Sequence, residues 1–426
     1  MRISDFIATP IALADPPLLN AAGLHAPYAL RIVIQMASEC GIVGVSEIPG
    51  NKDVLLTLDK LKGQLIGRSV FDLNNLFAEL KGLLGDTDLR GETSWDQRRF
   101  VHIFSAIEVA SLDMMGKKLD CRVADLMGGP VREKVPYCGY LFFKYEGAGG
   151  KLDFNVDPNA SGWMRNRQAE ALHPQQIVDQ ANAMIDAFGF KSLKLKAGIL
   201  DPEVEVDSIF ALRDALGEDI PLRIDPNAVW SYETALHYGR KMQGCIEYYE
   251  DPVRGQDMMG KLRQKLDIPF ATNMCTTSFG ELPESIRLHS EDIILSDHHF
   301  WGGLRASVEL ARICDVFGRG FSMHSNSHAG ISLAAMTQLG AVIKNLNYAL
   351  DTHYPWQVDD ILAGGKLSII DGCVQLPDTP GLGVEIDPEA LDQAHKNYKE
   401  CGLEYRDDER AMQRKQPGWK FKAVRY

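Results

Sequence analysis

From about residue 136 onward, short apolar segments recur along the chain roughly every 25 to 30 residues, with helix-like segments between them. Their apolar and β-branched character predicts that these segments are strands. They cover residues 138–143, 192–196, 221–225, 246–250, 269–273, 293–297, 320–324 and 348–351. Strands that alternate with helices favour a parallel sheet, and eight parallel strands can close into a barrel. The repeat therefore predicts an α/β barrel.

The segments outside this repeat have a different organisation. Near the start of the chain, residues 31–36 and 41–45 are predicted to be paired strands, and residues 100–126 a helix with a wide apolar face. Residues 146–167 are predicted to form a long loop of the kind that serves as a lid or is disordered. The last part of the chain is polar, with one predicted helix over 388–401.

Composition and charge exclude several classes of function. The chain of 426 residues has a formal net charge of −13, so binding to nucleic acid is not expected. No stretch of about 18 apolar residues is present, so no membrane span is expected, and the interrupted N-terminal segment is unlike a signal peptide. The eight cysteines are scattered, which predicts reduced thiols in a cytoplasmic protein. An acidic substrate is still compatible with this charge if the site holds a metal ion and local lysines.

Every predicted barrel strand ends in polar or ionisable residues. A single residue of this kind is more often a helix cap or another structural group. In a parallel barrel, however, the carboxyl ends of all strands lie on one face, where the active sites of this fold are found. The residues concerned are Tyr140, Lys194, Lys196, Asp225, Glu250, Asn273, Asp297, His324, Asp351 and His353. Their joint pattern indicates one functional site at this face.

Asp225, Glu250 and Asn273 end three consecutive predicted strands and form a set of candidate metal ligands. All three supply oxygen, and none is a thiol or an imidazole. Such a set suits Mg²⁺, a hard cation that prefers octahedral oxygen coordination. The alternative from the residues alone is a hydrogen-bonded polar plug that caps the barrel. A zinc hydrolase on the same fold is a further alternative, although the set is not rich in histidine.

Lys194 and Lys196 are candidates for a general base, because residues i and i+2 of a strand share a face. Two neighbouring ammonium groups repel each other, which is expected to lower the pKa of at least one. A solvated or ion-paired strand end is the alternative explanation. A second candidate base is His324, whose imidazole could be oriented by Asp297 on the preceding strand. The competing histidines are His298, His299, His328 and His353.

Five motifs occur in an order and spacing that together are specific. They are Leu193-Lys-Leu-Lys-Ala-Gly198, Asp225-Pro-Asn227, Glu250-Asp-Pro252, Ala271-Thr-Asn-Met274 and His324-Ser-Asn326. In these motifs the chain resembles the enolase superfamily, and its Ala-Thr-Asn-Met and His-Ser-Asn are similar to the glucarate dehydratase subgroup. The resemblance implies a modified (β/α)7β TIM-like barrel over residues 133–385. It also implies an α+β capping domain, formed by residues 1–132 and completed by residues 386–426.

The resemblance also implies the chemistry, that of a Mg²⁺-dependent hydro-lyase acting on an acid sugar. The α-proton is removed to give a metal-stabilised enediolate, and the β-hydroxyl then leaves as water. The implied reaction converts D-glucarate to 5-dehydro-4-deoxy-D-glucarate, and bases on both faces would allow epimerisation to L-idarate. The alternatives are a dehydratase of galactarate, talarate or idarate, a racemase, and a catalytically inactive relative. A homo-oligomer is implied as well.

Residue roles follow from the same resemblance. The three oxygen ligands would bind Mg²⁺, and Lys196 would be the base on one face, with Lys194 as its electrostatic partner. His324, oriented by Asp297, would be the base on the opposite face and the acid for the leaving hydroxyl. The implied substrate-contacting residues are His25, Ser94, Tyr140, Asn227, Ser325, Asn326, His353 and Arg406.

Two features bear on the substrate. Arg406 suits the distal carboxylate of a diacid through bidentate hydrogen bonds, and the alternative is a surface ion pair with Asp407 or Asp408. The chain also departs from the subgroup's pattern, because His298 stands where a proline is expected. The loops that shape the pocket differ as well, so the substrate is less closely defined than the reaction.

Overall fold

Eight parallel strands form a nearly closed barrel in the computed structural model, which describes residues 1–85, 90–91, 93 and 95–426. Each lies where the apolar repeat predicted a strand. They are Lys134–Phe142, Leu193–Lys196, Leu222–Asp225, Tyr248–Glu250, Phe270–Thr272, Ile293–Ser296, Gly320–Met323 and Leu350–Thr352. Strands that follow each other in the chain also lie next to each other in the sheet. The eighth strand pairs with the first, and the seventh strand lies beside the eighth. A short strand, Cys373–Gln375, pairs antiparallel with the first. The predicted barrel is confirmed.

Side chains alternate between the two faces of the barrel strands. Leu193 and Leu195 belong to the apolar core, whereas Lys194 between them ion-pairs with carboxylates inside the barrel. A buried charge is costly unless it is paired, and Arg223 on the next strand is paired too, with Nη1 lying 3.1 Å from Oδ1 of Asp351. Ion pairs between residues of neighbouring and facing strands therefore occupy the interior of the barrel at this level.

Helices connect the barrel strands and cover their outer face. They are Pro174–Phe188, Pro202–Leu216, Tyr232–Met242, Gln256–Arg263, Leu282–Leu288, His298–Trp301, Leu304–Val316 and Gly330–Val342. The helix Pro202–Leu216 is capped by Asp201, whose carboxylate accepts the backbone N–H of Glu203 at 2.9 Å. The helix Gly330–Val342 is buried on almost every side because the N-terminal sheet lies over it.

A three-stranded antiparallel sheet, with strands Ile3–Ala14, Tyr28–Ser38 and Val43–Pro49, forms the cap outside the barrel. The two predicted strands are thus confirmed, and they are longer than predicted. The cap helices are Lys52–Leu65, Leu73–Leu84, Arg99–Leu119 and Val123–Leu126. The single helix predicted over residues 100–126 is interrupted, because Asp120 adopts a left-handed conformation with a φ of 54°.

The C-terminal segment returns to the cap. Its predicted helix is confirmed as Pro388–Cys401, which packs along the first cap strand. A second short helix, Asp408–Gln413, was not predicted, and it lies against the cap at Gly23. A Cβ atom at Gly23 would lie 2.3 Å from the carbonyl oxygen of Asp408, so this close approach requires glycine. The domain limits at residues 132 and 385 stay predictions.

The segment after the first barrel strand, predicted to be a long loop, contains regular elements and is bonded to the rest of the fold. It contains the 3-10 turn Gly150–Leu152 and the helix Gly162–Gln168. The buried Arg167 donates to the carbonyl oxygens of Trp356, Ala148 and Ala14 at 2.6, 2.8 and 3.2 Å. These bonds join the segment to both the barrel and the cap. Within the described residues, no helix has the length and apolar character needed to cross a membrane.

Candidate active site

A cavity of about 300 Å³ opens at the carboxyl ends of the barrel strands and is lined by residues of the barrel and the cap. Several sequence-predicted residues line it, namely His25, Tyr140, Lys196, Asn227, His324, Ser325, Asn326, His353 and Arg406. Lys194, Asp225, Glu250, Asn273 and Asp297 lie buried at the strand ends next to this lining. Ser94 lies outside the described residues. The fold thus brings the other predicted residues to one end of the barrel.

Three oxygen-bearing side chains lie at consecutive strand ends. Asp225 and Glu250 are the last residues of their strands, and Asn273 directly follows the strand Phe270–Thr272. The Nδ2 atom of Asn273 lies 3.2 Å from Oε1 of Glu250. Burial, together with the neighbouring Asp225 carboxylate, raises the pKa of Glu250 well above its ordinary value. Two carboxylates and an amide oxygen form an oxygen-only set, which fits a hard cation such as Mg²⁺.

Each of the two lysines is paired with carboxylates. The Nζ atom of Lys194 lies 2.6 Å from Oε2 of Glu250 and also pairs with Asp351, whereas Lys196 pairs with Asp225. Burial lowers the pKa of Lys194, but the carboxylates of Asp351 and Glu250 outweigh it and hold that pKa well above its ordinary value. The expectation that repulsion lowers the pKa of at least one lysine does not hold for Lys194, because its ammonium group has its own anionic partners.

His324 and Asp297 form the dyad that the sequence predicted. Nδ1 of His324 lies 3.3 Å from Oδ2 of Asp297, and a carboxylate oxygen can only accept. Nδ1 therefore donates, which leaves Nε2 as the basic nitrogen. Burial lowers the pKa of His324, opposed by the hydrogen bond to Asp297, so the imidazole is neutral near pH 7. The ring stacks on Phe300 at 5.3 Å between centroids.

Cationic and imidazole groups form the cap side of the cavity. Nδ1 of His25 donates to Oδ2 of Asp15 at 2.8 Å, which leaves its Nε2 to accept from Nη2 of Arg406 at 3.1 Å. Arg406 also pairs with Asp408 at 2.7 Å and covers the ring of Trp95 at 4.7 Å. Arg406 therefore forms an ion pair with Asp408 and lines the cavity as well.

The remaining predicted residues are bonded to one another around the cavity. The Tyr140 hydroxyl accepts the N–H of Ser325 at 3.2 Å, and Oγ of Ser325 accepts the N–H of His353 at 3.0 Å. Burial lowers the pKa of His353 to about 4, so its ring is neutral. Asn227 has a left-handed φ of 53° and donates its backbone N–H to Asp225 at 2.8 Å. These bonds connect the residues of the cavity wall to one another.

Some residues of the site were missed by sequence reasoning. Asp15 holds His25, as described above. Asp251 accepts the N–H of Asn273 at 2.8 Å and the hydroxyl of Thr272 at 2.5 Å, and so fixes the turn that carries the third oxygen donor. Asp251 could have been suspected, because it lies inside the Glu-Asp-Pro motif. Asp15 could not, because nothing near it in the chain indicates its partner.

Comparisons with known proteins agree with this geometry. The family model described as Enolase C-terminal domain-like matches residues 176–390. The chain is 40% identical over 427 residues to a probable glucarate dehydratase from Streptomyces coelicolor, and the match covers 96% of this chain and 95% of that protein.

Two solved structures are similar over nearly the whole chain. An enolase from Pseudomonas fluorescens with bound magnesium, potassium and tartrate is 44% identical, with a TM-score of 0.90 over 99% of this chain and 98% of that one. An enolase from Thermobispora bispora complexed with magnesium and formate is 42% identical, with a TM-score of 0.91 over 99% of both chains. The protein therefore belongs to the enolase superfamily, among the acid-sugar hydro-lyases of its glucarate dehydratase subgroup.

Proposed function

We propose that the protein dehydrates the aldarate D-glucarate to 5-dehydro-4-deoxy-D-glucarate. The observation that carries this proposal is the placement of two basic side chains, Lys196 and His324, on one cavity beside an oxygen-only ligand set. Lys196 ends the second barrel strand and His324 follows the seventh, so they approach a bound substrate from different walls. The similarity to the Streptomyces coelicolor protein supports the choice of substrate. Self-association stays a prediction.

Asp225, Glu250 and Asn273 would hold Mg²⁺, which would supply positive charge where a substrate carboxylate gains electron density. The magnesium in the similar Pseudomonas fluorescens and Thermobispora bispora structures supports this assignment. Lys194 adds a fixed positive charge at the same place, because its ammonium group is held inside the barrel by Asp351. A weakly acidic α-proton then becomes accessible to a modest base.

His324 transfers the proton, and Asp297 assists it. Nε2 of His324 takes the α-proton, and Asp297 stabilises the imidazolium that forms. The electron pair of the broken C–H bond forms the carbon–carbon double bond as the β-hydroxyl leaves. His324 returns its proton to that hydroxyl, so water departs and the enol product tautomerises to the ketone. Lys196, once neutral, would exchange the α-proton of the epimer from the other wall.

Arg406 would bind the distal end of the substrate. Its guanidinium lies on the cap side of the cavity, next to the ring of His25. Arginine contacts with carboxylates are strong and directional. A diacid therefore matches a site that has one positive region beside the proposed metal ligands and another at the cap.

The test is a screen of acid sugars with the Mg²⁺-loaded protein, in which a 2-keto-3-deoxy type product is detected. We expect turnover of D-glucarate that is lost on addition of EDTA. Turnover of galactarate, talarate or idarate instead of D-glucarate would support the proposed dehydration and show that the substrate is a different aldarate. Absence of turnover on every aldarate would refute the proposed function.

A further inference from the structure

The carboxylate of Asp297 is held at both oxygens by side chains of the barrel. Oδ1 accepts from the imidazole Nδ1 of His299 at 2.7 Å and from the backbone N–H of the same residue at 2.8 Å. Oδ2 accepts from Nδ1 of His324 at 3.3 Å and from Nδ2 of Asn326 at 3.1 Å. Asp297 is thus shared by two imidazoles. His299 is 2% exposed and is not part of the cavity lining.

The two neighbours of Asp297 lead to one guanidinium group of the cap. Nη1 of Arg31 donates to Oδ1 of Asn326 at 2.9 Å. Nε2 of His299 lies 3.1 Å from the backbone carbonyl oxygen of Glu47 and 3.4 Å from Nη2 of Arg31. Arg31 itself is fixed by Glu47 on the adjacent cap strand, with 2.8 Å between Nε and Oε1. Polar contacts therefore connect four residues in a closed ring, which we call the Asp297 ring. Its members are Arg31, Asn326, Asp297 and His299.

We propose that His299 is a positioning residue for His324, acting through Asp297, and that Arg31 supports it from the cap. The inference rests on the proposed function, because it takes His324 as a base. With the imidazole of His299 in place, each oxygen of Asp297 accepts two hydrogen bonds, which restricts rotation of the carboxylate. Without it, Oδ1 keeps only the backbone N–H of residue 299. The Asp297 ring thereby fixes the direction of Nε2 of His324, and the cap contributes to the chemistry as well as enclosing the substrate.

The proposal predicts an effect on one face of the substrate only. Lys196 is outside the Asp297 ring, because its ammonium group pairs with Asp225 on the neighbouring barrel strand. Loss of the His299 contact should therefore slow proton transfer at His324 and spare proton transfer at Lys196. A purely structural role for His299 would affect both bases together.

The experiment follows α-proton exchange in D2O by NMR, for D-glucarate and for its epimer L-idarate, together with the steady-state dehydration of D-glucarate. The Mg²⁺-loaded wild-type enzyme is compared with His299→Phe and His299→Asn. Phenylalanine keeps a ring next to His298 but lacks the donor, and asparagine keeps an N–H donor that can reach Asp297. Circular dichroism melting checks folding. Should His299→Phe not fold, His299→Leu, which also lacks a side-chain donor, replaces it.

We expect His299→Phe to lower kcat for dehydration and exchange at the His324 face by about 10²-fold, with KM changed by less than about threefold. Exchange at the Lys196 face should stay within about threefold of wild type, and His299→Asn should recover most of the lost rate. Equal losses on both faces, or no loss on either, would overturn the inference. A wild-type enzyme that neither dehydrates D-glucarate nor exchanges an α-proton of either epimer would refute the proposed function, and the inference with it.

Discussion

Lys194 and Glu250 form a fully buried ion pair, with 2.6 Å between Nζ and Oε2. The same carboxylate belongs to the oxygen set proposed to hold Mg²⁺, so a lysine and a metal ion would share one anion. Lys196 has the same relationship to Asp225. The lysines therefore balance the charge of the ligand set when no ion is bound.

This charge balance predicts that removal of the metal stops the reaction without unfolding the protein. EDTA should abolish turnover, and Mg²⁺ should restore it, while the melting temperature falls by only a few degrees because the ion pairs persist. Activity assays and calorimetry on the same sample provide the measurement. Full activity in EDTA, or restoration by Zn²⁺ and not by Mg²⁺, would contradict the assignment.

Replacement of His324 by asparagine should remove the principal base for D-glucarate. We expect kcat to fall by about 10³-fold with a small change in KM, because general-base catalysis contributes about 10² to 10⁴ in rate. Steady-state kinetics measure the effect. His237→Asn, at an exposed position on the helix Tyr232–Met242, is the matched control and should leave kcat unchanged. A similar kcat in the two variants would exclude His324 as the base.

Arg406→Gln should weaken the binding of diacids selectively. Loss of a charge-assisted contact to the distal carboxylate should raise KM for D-glucarate by about 10- to 100-fold, since such a bond contributes about 1.5–3 kcal/mol. The exposed Arg410 provides the matched control as Arg410→Gln. Binding of D-glucarate and of a monoacid sugar is compared by titration calorimetry. An equal weakening of binding for both ligands would show that Arg406 supports the fold and does not bind the distal carboxylate.

The buried His328 predicts a loss of stability in acid. Burial lowers its pKa from 6.5 to about 4, so the folded state keeps it neutral while the unfolded chain takes up a proton below pH 6.5. The stabilisation is complete above pH 6.5 and is lost as the pH falls toward 4, at about 1.4 kcal/mol per pH unit. Urea unfolding at several pH values should show a shallower slope for His328→Asn, which keeps a donor for Ala329. An unchanged slope would count against this assignment.

Arg167→Met should destabilise the whole protein. Its guanidinium donates to backbone carbonyls of its own segment, the barrel and the cap, and loss of these bonds leaves buried acceptors unpaired. We expect the free energy of unfolding to fall by about 3 kcal/mol. The exposed Arg165, on the same short helix, gives the control Arg165→Met, which should be nearly neutral. Urea denaturation of both variants measures the difference, and equal stabilities would refute the role given to Arg167.

Local patterns in the chain were enough to predict the barrel. A buried parallel strand is a short apolar run, and a helix start such as Asp201-Pro202 carries its own capping residue, so each element is visible within a few residues. The polar residues at the strand ends could be predicted to meet, because parallel strands point their carboxyl ends the same way. Their separate roles came from the family resemblance and are tested by the experiments above.

Contacts between distant segments could not be predicted in this way. His25 and Arg406 are 381 residues apart in the chain, yet they lie 3.1 Å apart in the cavity. The ion pairs of Lys194 could not be predicted either, because its carboxylate partners come from other strands. The Asp297 ring likewise joins a cap strand to the barrel across 295 residues, between Arg31 and Asn326. Periodicity and capping are properties of neighbouring residues, whereas the pairing of buried polar groups depends on how finished elements pack.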